Sequence, residues 1–218
     1  YAQISGRESL RDIETCLNSH REKLYHIGFR GQVSKSTLAD AGEVRDYRIY
    51  QDFASHLISL ARRLYRNEVL AVELDHSLYA LDSTLIDLCL ALFPWASFNK
   101  TRGAVKIQTL LDLKGSIPAF VNLTVGKVYD VNILDVLPLE KDAVITMDRG
   151  YIDFGRLYAI HLFPAFFVIR ARKNLCFCRL DSQRVDKSSG LRSDQRIVLT
   201  GKKSRAAYRE ALRRVSFL

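Results

Sequence analysis

The chain has 218 residues, enough for one or two domains around a buried core. Apolar residues make up 48% and charged residues 26%, a balance that excludes a disordered chain; no apolar run approaches the ~20 residues of a membrane span. The net charge is +9, and all of the excess lies in residues 149–218, with 16 Lys and Arg against 5 Asp and Glu, whereas residues 1–148 hold 17 against 19. Such a basic last third suits contact with a phosphate backbone, and equally suits a plain solvated surface.

Residues 7–26 read as a helix with Leu10, Ile13 and Leu17 on one face. Gly28 and Gly31 break it, and Ser34 or Ser36 can cap a short helix beyond. A third helix, about 46–65, carries an apolar stripe of Ile49, Phe53, Leu57, Leu60 and Leu64. The pattern around Ser34–Leu38 resembles a helix-turn-helix, in which Ser34, Lys35 and Ser36 would meet DNA; a plain helical hairpin is the alternative.

After Asn67 the texture changes. Residues 69–90 are rich in aliphatic and β-branched side chains, and Leu78–Cys89 is apolar on both alternating faces, as in a strand covered on both sides. Val105, Ile107, Thr109, Leu111 and Leu113 form one face of a half-buried strand. Lys114-Gly115-Ser116 turns the chain into a second alternating strand, with Ile117, Ala119, Val121, Leu123 and Val125 on one face. A short helix about 131–137, a buried strand 143–147, an amphipathic helix 152–162 and a strand 165–171 follow. Beyond Asn174 come short, basic, turn-broken strands. The order predicts an α/β fold, a mixed sheet with flanking helices, in three parts: a helical unit 1–66, a core 67–173 and a basic β-rich segment 174–218.

Chemistry narrows to carboxylates. The cysteines (16, 89, 176, 178) have no zinc-type spacing and read as reduced thiols of a cytosolic protein, and the five histidines form no metal motif. Gly201-Lys202-Lys203-Ser204 ends like a phosphate-binding loop, but Arg196 stands where the earlier glycine belongs. Asp82 lies in an apolar strand, where an unpaired carboxylate costs several kcal/mol by rough estimate unless it binds a partner or a metal. Asp148 closes another buried strand, and Gly150 lets the chain turn sharply off the sheet. Two such acids can share Mg²⁺, and two ions roughly 3.5–4 Å apart serve phosphodiester chemistry. Taken singly, Asp148-Arg149-Gly150 also suits ordinary turn chemistry, and Asp82 could pair with an arginine.

Tyr79-Ala80-Leu81-Asp82-Ser83-Thr84 and Met147-Asp148-Arg149-Gly150-Tyr151 resemble the first two acidic motifs of insertion-sequence DDE transposases of the IS-four type. Ser9–Glu14, Ser34–Ala41, Leu92–Ala96 and Gly126–Asn132 are similar to that family in the same order. The resemblance implies a ribonuclease H-like core and a triad of two Asp and one Glu binding Mg²⁺, with Mn²⁺ able to substitute. It also implies cleavage at transposon ends followed by transfer of a 3′-hydroxyl into target DNA. Asp82 and Asp148 carry over as the first two acids. Tyr208-Arg209-Glu210 does not keep the spacing of the third motif, so Glu210 reads as surface charge in a helix. The third acid is expected beyond Leu218, and the chain, which also lacks an initiating Met, is expected to be a fragment.

The implied partners are double-stranded DNA at the transposon ends and target, and a second copy in a synaptic complex. The expected location is the bacterial cytoplasm, at the nucleoid. Arg149, Lys173, Lys202 and Lys203 join Ser34, Lys35 and Ser36 as expected DNA contacts. Two alternatives stay open: a DNA-binding remnant without catalysis, and another nuclease of the same fold. A phosphatase of the acid dehalogenase type is disfavoured, since it needs Asp-x-Asp and position 84 is Thr.

Overall fold

A computed structural model describes residues 6–26, 28–65, 76–91 and 93–217. The chain divides into two compact units, Tyr1–Leu57 and Ile58–Leu218.

The first unit is helical. The expected helix over 7–26 is split at His20 into α1 (Leu10–Ser19) and α2 (Arg21–His26). Ser9 caps α1 by accepting from the Asp12 N–H at 3.1 Å. Ser34 caps α3 (Lys35–Val44) in the same way through Thr37. Leu17, Leu24 and Val33 form a small core with Ile13 and Leu38 against it. Asn18 fastens this core by accepting from the Val33 N–H and donating to the Val33 carbonyl, at 3.2 and 3.0 Å. The connection from α2 to α3 runs through residues 27–34, longer than the 3–4-residue turn of a helix-turn-helix. The expected third helix is α4 (Arg48–Leu64), and its apolar stripe is exposed throughout.

The second unit is built on a five-stranded sheet: β1 (Leu78–Leu88), β2 (Gly103–Asp112), β3 (Ile117–Val125), β4 (Val144–Met147) and β5 (Phe166–Ile169). Its order is β3-β2-β1-β4-β5. The first three strands form an antiparallel meander, and β4 and β5 extend it in parallel with β1. Between β4 and β5 runs α5 (Phe154–Leu162), which buries Leu157 and Ile160 against Tyr79, Leu81, Leu110, Ile145 and Met147. This mixed sheet with its helix is the ribonuclease H-like arrangement. Residues 177–217 form a second sheet, β6 (Phe177–Gln183), β7 (Leu191–Leu199) and β8 (Leu212–Phe217), with the short α6 (Lys202–Ala207) between β7 and β8. Tyr208 ties it to the core, edge-on to Tyr158 and Phe167 with ring centroids 5.3 and 6.1 Å away.

Several expectations need correction. β1 is covered only in its first half: from Asp82 to Asp87 the side chains are exposed or half-exposed, because pairing with β4 stops at Leu81. In β2 the buried face is the one carrying Ala104, Lys106, Gln108 and Leu110, and the apolar alternates Val105, Ile107 and Leu111 are only half-buried. β3 follows suit, with Val121 and Leu123 exposed. The stretch 131–137 is a 3₁₀ turn over Asp130–Asp135 rather than an α-helix. Glu210 is exposed in the bend between α6 and β8, not in a helix. The beginning of the expected 69–90 strand lies outside the described residues.

Candidate carboxylate site

β1 and β4 run parallel, and their last paired positions are Leu81 and Met147. The next residues are Asp82 and Asp148. Asp148 follows the carboxyl end of β4, while Asp82 lies within β1, which stays paired with β2 as far as Leu88; the two strands lie ~4.8 Å apart where they pair. Both acids are exposed, so burial cost does not explain Asp82, contrary to the expectation from its apolar neighbours. Register explains it: the pairing of β1 with β4 ends at Leu81 and Met147, and the next residue of each chain segment is an aspartate that has lost its neighbour on that side.

Asp148 is oriented by its own turn. Its Oδ1 accepts from the Gly150 N–H at 2.7 Å, capping a 3₁₀ turn over Arg149–Tyr151. A Cβ on Gly150 would stand 2.9 Å from that oxygen. Gly150 therefore gives the carboxylate room; its φ is not among the positive values that only glycine tolerates. Tyr151 then turns inward, and Asp153 caps α5 through the Gly155 and Arg156 N–H groups at 3.0 and 3.1 Å. Acid, glycine, anchor and cap thus follow one another in six residues. The Asp82 side chain makes no hydrogen bond or ion pair to another described residue, and its backbone pairs with Thr109 of β2.

The Tyr151 hydroxyl is buried and has no hydrogen-bond partner of ordinary geometry. Burial pushes its pKa up to about 12; the charges of Asp130, Asp82 and Asp148 add to the rise, and the nearby Ser83 hydroxyl works against it. Ser83 gives its own proton to Asp130 Oδ1 at 2.8 Å. Asp130 is the acid that sequence reasoning left without a role, although its segment was singled out. The legible signal was Lys106 and Gln108, two polar side chains at strand spacing in an apolar stretch.

A hard divalent cation suits these donors. The pair offers carboxylate oxygens with no described Lys or Arg on them, and the charges of both reach the buried Tyr151 hydroxyl. Mg²⁺ commonly takes one or two protein carboxylates and completes its shell with water and phosphate oxygens. Among the described residues, no group of three or more His, Cys, Asp or Glu comes together to hold a metal.

The expected DNA contacts fall in both units. Arg149 is exposed beside Asp148, Lys173 is exposed after β5, and Lys202 and Lys203 are exposed in the first turn of α6. Ser34, Lys35 and Ser36 belong to the helical unit, where the Ser34 hydroxyl is shared with Ser36 and Thr37 at 2.9 and 2.8 Å. Thr200, Lys202, Arg205, Ala206 and Arg209 line a surface cavity of about 550 Å³. No described helix is long and apolar enough to cross a membrane.

Comparisons with known proteins bear on the family. Residues 1–30 match a domain of unknown function, DUF4372. A Sinorhizobium fredii protein named "Putative transposase y4zB" is 28% identical over 153 residues, which is 70% of this chain and 41% of that protein's length. The chain therefore spans well under half the length of the relative it matches. No solved structure matches. The model of the Transposase DDE domain matches residues 73–215, both aspartates included, and the chain belongs to that family.

Proposed function

We propose that this chain is part of a transposase whose Asp82 and Asp148 hold Mg²⁺, with Mn²⁺ able to replace it, for cleavage at the ends of an insertion sequence and transfer of the freed strand into target DNA. The observation that carries the reading is the shared level of the two aspartates after the Leu81–Met147 pair. Bound there, the cation would supply charge neutralisation and Lewis-acid activation to a phosphodiester. The chain's own residues do the positioning. The Gly150 N–H fixes one oxygen of Asp148. Arg149, next to it, takes a phosphate of the strand being cut. Lys173 and the basic surface of Lys202, Lys203, Arg205 and Arg209 track the backbone farther away, while Ser34, Lys35 and Ser36 contact DNA from the helical unit. The partner is double-stranded DNA, at transposon ends and target, and a second copy completes a synaptic pair at the bacterial nucleoid.

The test is Mg²⁺- or Mn²⁺-dependent strand cleavage of a plasmid bearing the element's own ends. Cleavage that disappears in both Asp82→Asn and Asp148→Asn supports the reading; cleavage retained by either overturns it. A second reading, end binding without cleavage, draws on the absence of a third acid beside the pair among the described residues. End-specific binding that is unchanged in Asp82→Ala, with no metal-dependent cleavage by the parent chain, would favour it.

A further inference from the structure

Beneath the second half of β1, on the opposite side of the sheet from Asp82, lies a polar cluster that the proposed chemistry does not use. Lys106 is only 9% exposed and Gln108 1% exposed, both on the inner face of β2. They strap the segment 126–130 across that face. Lys106 Nζ donates to the Val128 carbonyl at 2.7 Å, and Gln108 Nε2 donates to the Asp130 carbonyl at 3.4 Å. Asn122 Nδ2 holds Gln108 Oε1 at 3.0 Å, and the Gly126 N–H meets the Ala104 carbonyl at 2.9 Å. A Cβ on Gly126 would come within 2.8 Å of Phe98 and 3.1 Å of Ala104, so this crossing needs a glycine. The strap delivers Asp130, whose Oδ1 lies 2.9 Å from Lys106 Nζ and 2.8 Å from Ser83 Oγ.

Stability alone does not account for this arrangement. An ion pair drawn out of water is seldom better than apolar side chains of the same volume, and β2 gives one inward position to the pair and another to Gln108. Nor is Asp130 a third cation ligand: Lys106 and Ser83 share its Oδ1, and no three acids converge among the described residues. What the cluster does reach is Ser83. Side chains alternate along a strand, so a bond that holds Ser83 below the sheet sets the pleat that directs Asp82 above it. β1 has already lost β4 at this level and keeps only β2, through the Asp82–Thr109 pair.

We propose that Asp130 is a positioning residue of the carboxylate site, clamped by Lys106 beneath the sheet and coupled through Ser83 to the stretch of β1 that carries Asp82. Lys106 cancels the charge of Asp130, so the pair above presents two negative charges to a divalent cation. The inference rests on the reading that Asp82 and Asp148 hold that cation.

Mn²⁺ binding to the whole chain, followed by electron paramagnetic resonance, separates the two claims. Asp82→Asn should abolish binding; if it does not, the cation reading fails and this inference with it. With that control in place, Asp130→Asn and Ser83→Ala should weaken Mn²⁺ binding about tenfold or more, as lost outer contacts of metal sites do. Ser83→Thr, which keeps the hydroxyl, should restore most of it. The double variant Lys106→Met/Asp130→Asn leaves no unpaired buried charge, and it should fold yet bind Mn²⁺ as weakly as Asp130→Asn. If Asp130→Asn fails to fold, Ser83→Ala and the double variant decide. Wild-type affinity in either, in a folded protein, would overturn the proposal.

Discussion

One face of the five-stranded sheet carries Tyr79, Leu81, Leu110, Ile145 and Met147 under α5, and farther along it Gln108 and Lys106 under the 126–130 strap. The other face carries Asp82, with Ile107, Val121, Leu123, Phe166 and Val168 half-buried or exposed among the described residues. The closed face contains the buried polar side chains Lys106 and Gln108 beside its apolar core, and the open one carries aliphatic side chains that stay exposed. The difference locates rigidity. Asp82 stands on the open face, but its backbone is gripped from the closed one, by apolar packing up to Leu81 and by hydrogen bonds from Ser83 onward.

Substitutions on the two faces should differ most in stability. Leu157 is fully buried in α5, and Leu157→Ala should cost about 3 kcal/mol in urea unfolding. Leu123 is 64% exposed, and Leu123→Ala should change stability by less than about 0.5 kcal/mol. Equal losses at the two positions would mean that the faces are not as different as they look. Lys106→Met, on the polar half of the closed face, should cost about 2–3 kcal/mol, toward the low end for a broken buried pair because the Asp130 side chain is 36% exposed. Adding Asp130→Asn should recover most of that loss; a further drop would show that the two side chains do not act as a pair.

Much of the fold was legible in the sequence, and the reasons are local. Strands and helices followed from alternation and the 3.6-residue period, and Asp148-Arg149-Gly150-Tyr151 marked a strand end followed by a turn. The face of β2 was not legible. Alternation shows that Val105, Ile107 and Leu111 share a side, but burial depends on the strap that crosses the other side, and that strap is held by polar atoms rather than apolar area. The burial of Asp82 was misjudged for a related reason: its neighbours are apolar, yet β4 ends one residue earlier. Asp130 escaped notice because its partners, Lys106 and Ser83, are 24 and 47 positions away in sequence.

A smaller effect is expected at the turn. Gly150→Ala should displace the Asp148 carboxylate and cost about 1 kcal/mol, the worth of one hydrogen bond, while weakening Mn²⁺ binding several-fold. Unchanged binding would show that the Gly150 N–H does not orient the site.

A pH-dependent effect should appear in alkali. Tyr151 keeps its proton more tightly when folded, with a pKa of about 12 against about 10 for a free phenol. Its contribution is therefore fully present below pH 10 and is lost as the pH rises towards 12. Tyr79 behaves alike: burial first, and then its hydrogen bond to Glu140, push it up to about 12. The urea midpoint should fall between pH 10 and 12, and less steeply in Tyr151→Phe. An identical fall in that variant would place the alkaline transition elsewhere.

The central claim is that Asp82 and Asp148 form one cation site, and Mn²⁺ titration of the two single variants and the double variant tests it most directly. The account predicts that Asp82→Asn and Asp148→Asn each remove the same Mn²⁺ ion and that combining them removes nothing more. Binding that survives in either single variant, or losses that add as if from independent sites, would contradict it.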